Sequence, residues 1–125
     1  MINVGDFIKN GKYQKNYVGL YFKKKKNSKI FLIRIASHFY EIDVLKNLSS
    51  DLKKLGYEVI INLMQISEKK KWEISKAITF VKKINPKAIY FADSLGSLRT
   101  EQTIKIIKVI RLNWKKIWEF IPMII

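Results

Sequence analysis

From residue 29 onward the apolar positions switch between two patterns at a regular interval. "KIFLIRIAS" (29–37), "YEVIINLMQIS" (57–67) and "KAIYFADS" (87–94) are short and nearly continuous apolar runs. Such runs mark strands buried on both faces, as in a parallel sheet, rather than the alternating strands of a half-solvated one. Each run is followed by a segment with helical spacing. In "IDVLKNLSSDLKKLGY", Ile42, Leu45, Leu48, Leu52 and Leu55 recur at three- and four-residue steps, and Gly56 supplies a C-terminal stop where positive φ is sterically free. In "EKKKWEISKAITFVKKI", Trp72, Ala77, Val81 and Ile84 are expected to share a buried stripe that ends at Asn85-Pro86, since proline cannot continue the ladder. A third helix is expected over "RTEQTIKIIKVIRLNW", with Thr100 as N-cap and Glu101 at the favourable end of the helix dipole.

Strands starting near residues 30, 59 and 88 repeat with a period of about 29 residues, the length of one β-α unit. The next strand falls due near residue 116, within "KKIWEFIPMII". Residues 1–28 fit the rhythm less well: "YVGLYF" (17–22) reads as a short strand or packed turn, and "KKKK" (23–26) as a solvated loop. The reading is therefore α/β, with about three to five parallel β-α units and right-handed crossovers. An irregular segment over 1–28 precedes a β-α region over 29–117 and an atypical tail over 118–125.

Composition narrows the function classes. A chain of 125 residues that is 48% hydrophobic can bury one ordinary core. It has no cysteine, which removes disulfides, thiolate catalysis and cysteine metal sites. No apolar run approaches the roughly 18 residues of a spanning helix, and "MINVGDFIKN" lacks a signal-peptide core, so no membrane association and a cytoplasmic location are expected. The net charge of +15 comes from 22 lysines and only three arginines, Arg34, Arg99 and Arg111. Arginine is the residue that reads base edges and grips phosphate in a fork, so no specific nucleic-acid partner is expected, only salt-sensitive adhesion to polyanions.

Ligands of parallel α/β proteins gather at the carboxyl ends of the strands. Those ends carry Arg34, Ser37 and His38 in the first unit, Asn62, Gln65 and Ser67 in the second, and Asp93, Ser94 and Ser97 in the third. Of these, Arg34, His38, Asn62, Asp93 and Ser94 are the substrate-pocket candidates. Arg34 sits inside an otherwise apolar strand, where its charge calls for a carboxylate or an anionic ligand. A structural bridge from Arg34 to Asp93 is the alternative to a substrate role for the pair. With Arg34 and Asp93 at equivalent places on parallel strands, they are expected side by side, Asn62 between them. Helix capping competes with catalysis for His38, and backbone bonding with ligand contact for Asn62. The chain has no H-x-H, H-E-x-x-H, G-x-G-x-x-G, G-K-[ST] or G-x-S-x-G motif, so it carries no metal, nucleotide or serine-hydrolase signature.

Three stretches taken together, "IRIASH" (33–38), "LKKLGYEVIINLMQIS" (52–67) and "AIYFADSLGSLRTEQ" (88–102), resemble the metal-dependent pyruvate-type aldolase and lyase superfamily. That group includes 4-hydroxy-2-oxovalerate aldolase, hydroxymethylglutaryl-CoA lyase and isopropylmalate synthase, and the D-S-x-G form at Asp93 is most similar to the first. The resemblance covers residues 29–116, with "INVGDF" as a relic of an earlier strand. It implies a partial (β/α)8 TIM barrel and pyruvate-enolate chemistry, in which a carbon–carbon bond of a 2-oxo acid is made or broken. In the family an aspartate of the first strand and the two histidines of a late H-x-H hold Mn²⁺ or Mg²⁺, and an arginine beside that aspartate stabilises the enolate. This chain has no R-D pair near its start and no H-x-H. Arg34 and Asp93 fall at middle-strand positions, so neither inherits those roles. The resemblance thus implies a pocket wall without its metal centre, inactive alone, cofactor-free as it stands, and prone to self-association through open sheet edges. The competing reading is a non-catalytic binding or scaffold module, a small doubly wound domain made from the same units.

The tail "WEFIPMII" (118–125) stands where the family places its H-x-H. Back-translated from the third base of the Trp118 codon, the overlapping frame permits G-I-H-T-H-D-N, with the glycine and the aspartate unavoidable. A genuine terminal strand is the alternative. The expectation is a frameshift, and the downstream nucleotide sequence tests it: the second frame should run on into further β-α units, and stop codons there would refute it.

Overall fold

The computed structural model describes residues 1–23, 29–93 and 100–122, with backbone alone for residues 120–122. The chain opens with a two-residue strand, β1 (Ile2–Asn3), a 3-10 turn (Val4–Phe7), and a hairpin of β2 (Ile8–Lys9) and β3 (Lys12–Tyr13). Helix α1 (Lys15–Tyr21) follows. The repeat then begins: β4 (Leu32–Ser37), α2 (Ile42–Lys54), β5 (Glu58–Leu63), α3 (Lys71–Ile84), β6 (Ala88–Asp93), α4 (Thr100–Asn113) and β7 (Ile117–Pro122). The strand due near residue 116 is present, so the first five residues of the tail pair in register with β6.

The five-stranded sheet has the order β1-β4-β5-β6-β7, and every pairing is parallel. Its neighbours follow chain order without a reversal. Right-handed crossovers between strands so arranged put every connecting helix on the same face. The helices pack accordingly, α1 on α2, α2 on α3 and α3 on α4. A doubly wound domain requires a reversal of strand order with helices on both faces. That alternative is excluded for the described residues. The result is a parallel α/β sheet flanked by helices on one side.

The core lies between that side of the sheet and the helices. Ile33, Ile35, Val59, Ile61, Leu63, Ile89 and Phe91 meet Leu45, Leu48 and Leu52 of α2 and Ile74, Ile78 and Val81 of α3. Burying one such side chain contributes about 1.5–3 kcal/mol, so this layer is the main source of stability. The expected α2 face is correct, with Leu45, Leu48 and Leu52 fully buried. The α3 stripe is corrected at one end: Trp72 is 63% exposed, and Ile74 and Ile78 take its place beside Ala77, Val81 and Ile84. Trp72 is turned about 200° around α3 from the buried Ile74 and so faces away from the sheet. Gly56 (φ 99°) and Asn85 (φ 54°) are left-handed after α2 and α3, as their positions required. Thr100 is the first helical residue of α4, so the cap itself lies outside the described residues.

Residues 1–23 hold more secondary structure than their pattern suggested. The stretch "INVGDF" opens with β1, which pairs parallel to β4, with Ile2 opposite Ile35 and Asn3 opposite Ala36. "YVGLYF", expected as a strand or turn, lies mostly in α1. The place beside β4 is taken by β1, and the segment instead buries Val18 against the helix layer. Asn10 and Gly11 both have positive φ, the requirement of the tight two-residue turn joining β2 to β3. The hairpin is tied to α2 by Tyr13, whose hydroxyl donates to Asp51 Oδ2 at 2.5 Å.

Burial, then the hydrogen bond and the charge of Asp51, push the Tyr13 phenol well above its ordinary range. The protonated phenol is the form favoured by folding. Its stabilisation is complete below about pH 10, the ordinary tyrosine value, and is lost as pH rises above it. Tyr13→Phe should lower unfolding free energy by about 1 kcal/mol at neutral pH. The difference between the two proteins should shrink in urea titrations above about pH 10, where the phenol ionises in the unfolded chain while the folded protein still holds its proton. A difference independent of pH would overturn this account.

Candidate functional site

Strand alternation divides the sheet residues between its two faces. Register places Arg34 beside Ile60 and Ile60 beside Ala88, and it aligns Ala36, Asn62, Tyr90 and Glu119 in the adjacent row. All of these stand on the face opposite the helices. The interruptions in the apolar runs of β4, β5 and β6 therefore coincide on one surface: a guanidinium, an amide and a phenol.

Arg34 lies over the Tyr90 ring, with its guanidinium carbon 5.5 Å from the centroid, a cation–π geometry. Its Nε donates to the sulfur of Met1 at 3.3 Å. Asn62 is 5% exposed. Its Nδ2 reaches two sulfurs, Met1 at 3.8 Å and Met64 at 3.7 Å, and its buried Oδ1 accepts no hydrogen bond. Thioether sulfur is a weak acceptor. Two strong donors thus meet poor partners, and one buried acceptor meets none.

Asp93 belongs elsewhere. It is an odd number of positions beyond Ala88, which shares a row with Arg34, and so projects on the helix side with Ile89 and Phe91. The expected juxtaposition of Arg34 and Asp93 is therefore incorrect. Among the described residues no carboxylate pairs with Arg34, and the salt bridge found there joins Lys87 to Glu58. Asp93 is buried and accepts from the Ser67 hydroxyl at 2.7 Å, which fastens the turn after β5 to the end of β6. Ser37 is also internal, its hydroxyl donating to the carbonyl of His38.

His38 closes β4. Its backbone N–H donates to Glu41 Oε1 at 3.0 Å, and its ring stacks on exposed Tyr40 with centroids 5.2 Å apart. Its Nδ1 is buried without a hydrogen bond. Ser94 and Ser97 lie outside the described residues. Of the five candidates, Arg34 and Asn62 share one surface. Tyr90 and Met1 join them although neither was singled out from the sequence. Tyr90 could have been found by comparing the parity of polar positions along the strands, since it is level with Asn62. Met1 had no such signal, because nothing in the sequence places its side chain over β4 and β5.

A separate groove of about 790 Å³ runs between α2 and α3, lined by Phe39, Tyr40, Trp72 and Phe80 with Asp43, Glu73, Lys76 and Lys83. Its charges are balanced, two carboxylates against two lysines. Among the described residues no three His, Cys, Asp or Glu side chains are grouped to hold a metal ion. None of the described helices is long and apolar enough to cross a membrane. No protein-family model matches the chain, and no curated protein matches it.

The separation of Arg34 from Asp93 is open to a double-mutant cycle. Arg34→Gln and Asp93→Asn should be additive in unfolding free energy to within about 0.5 kcal/mol, as for sites without shared partners. Ser67→Ala and Asp93→Asn should instead show coupling of about 0.5 kcal/mol or more. Coupling in the first pair would place the arginine and the carboxylate together after all.

Proposed function

We propose that the chain is part of a (β/α)8 barrel enzyme of the metal-dependent aldolase and lyase type, acting on a carbon–carbon bond of a 2-oxo acid. One observation carries this reading: the strands follow one another in chain order, with every helix on one face. A barrel is a sheet of this kind wound until it closes, with helices outside and polar side chains of the inner face gathered at the strand ends. Among the described residues five parallel strands are present of the eight that closure needs. The three stretches that carry the resemblance overlap β4, β5 and β6.

The residues present do not fit the metal of that family. The carboxylate nearest a strand mouth, Asp93, is directed to the helix side and held by Ser67, and the single histidine stacks on Tyr40. No step through a metal is derived for this chain, and we infer that it is inactive alone. Among the described residues both outer strands, β1 and β7, have an unpaired edge. Such edges favour association with another copy or with the remainder of a barrel.

The test is a coupled assay for pyruvate. The purified chain, given Mn²⁺ or Mg²⁺ and 4-hydroxy-2-oxo acids, should release none above the blank. Metal-dependent turnover would refute the inactive fragment. If the barrel reading is correct, sedimentation should also show concentration-dependent association, and a strictly monomeric, cooperatively melting species would favour a self-sufficient scaffold module.

A further inference from the structure

We propose that Arg34, Asn62 and Tyr90 form a binding site for a small 2-hydroxycarboxylate, and that the Met1 side chain occupies this site in the free protein. The inference concerns the same sheet face as the lyase reading but does not depend on turnover, and it favours a hydroxy acid over an oxo acid.

The argument begins with hydrogen-bond capacity. A buried amide has two donors and an acceptor to satisfy, and leaving them unmet is unfavourable. Asn62 is more than nine-tenths buried, its donors face only sulfur, and its Oδ1 has no partner. Arg34 contributes a permanent charge on the same face. Its Nε also ends on sulfur, and among the described residues its remaining nitrogens make no hydrogen bond. Both donors converge on one atom, Met1 Sδ. That atom marks the place where a better acceptor would sit.

The chemistry of the absent acceptor follows from what remains unsatisfied. A carboxylate would take the guanidinium hydrogens in the charge-assisted geometry arginine favours, together with one hydrogen of the Asn62 amide. A carboxylate alone would leave Asn62 Oδ1 unmatched, since that atom needs a donor. A hydroxyl on the adjacent carbon supplies one. A keto oxygen at the same place would set acceptor against acceptor. The Tyr90 ring beneath the guanidinium limits its tilt and keeps its edge directed along the sheet face.

Access is through Met1. The residue is 70% exposed, although its sulfur lies against Arg34 and the buried Asn62. An unbranched thioether changes rotamer at little expense. Moving it uncovers both donors without disturbing the strands behind them.

The probe is sodium lactate, with propionate and pyruvate as comparators, each at constant ionic strength made up with sodium chloride. Binding is followed by NMR at the Arg34 Nε–H and the Asn62 side-chain amide. Lactate should shift both signals and bind at least about tenfold more tightly than propionate or pyruvate, which lack the hydroxyl donor. Met1→Ala, prepared behind a cleavable leader, should bind lactate more tightly than wild type. Arg34→Gln should lose binding of all three acids. Asn62→Leu, which keeps the side-chain volume and removes the polar atoms, should bind lactate and propionate alike. Should Arg34→Gln fail to fold, the Met1 and Asn62 variants still decide the matter. Equal affinity for the three acids, no response to lactate, or a Met1→Ala protein no better than wild type would overturn the proposal. Lactate binding without pyruvate release in the coupled assay upholds the site and leaves the lyase reading to be judged on that assay alone.

Discussion

The handedness of the crossover connection governs this molecule. A parallel strand can be joined to its neighbour only by a chain that leaves one end of the sheet and returns to the other, and the twist of the strands makes that return right-handed. When successive strands are also adjacent in space, each helix lands on the same side. The sequence supplies one helix per strand with a single apolar stripe, enough to cover one face. Everything else follows from that allocation: a dense aliphatic layer between helices and sheet, and, among the described residues, an opposite face without helices where a guanidinium and an amide can stand.

The two faces therefore do different work with similar residue types. On the helix side, Ser67 donates to Asp93 and so joins a connecting turn to a strand end. On the other side, Arg34, Asn62 and Tyr90 interrupt three strands in adjacent rows. Their mutual contacts are a ring face and two sulfurs rather than ion pairs or oxygen acceptors. The helix side behaves as a fold-forming interior. The opposite face holds polar capacity in reserve, which is why it and not the wider groove between α2 and α3 is the candidate site.

The β-α rhythm was legible because strand and helix periods are strong local signals. The starts at β4, β5, β6 and β7, the leucine face of α2, and the stops at Gly56 and Asn85 could all be read from residues close together in the chain. The failures have a common cause in tertiary context. "YVGLYF" has strand propensity but lacks a neighbour to pair with, since β1 occupies the edge of β4. Trp72 has the right residue type for a core and the wrong place on its helix. The sequence puts Arg34 and Asp93 alike at strand mouths, whereas the register sets Arg34 level with Ala88, the first residue of β6, and an odd offset sends Asp93 to the opposite face. Distance along a strand can be guessed from an apolar run. Parity across three strands requires each register to be known to a single residue.

The order of the strands also bears on how the chain acquires its structure. Every sheet pairing from β4 onward joins residues roughly 28 positions apart, and no pairing in that region spans two units. Loop-closure entropy is then nearly the same at each step, and no early segment waits for a distant partner before it can pair. A chain built this way can acquire structure in the direction of its synthesis, each new strand adding to an edge already formed. It behaves less like a closed object than like a growing stack, in which stability accrues one neighbour at a time.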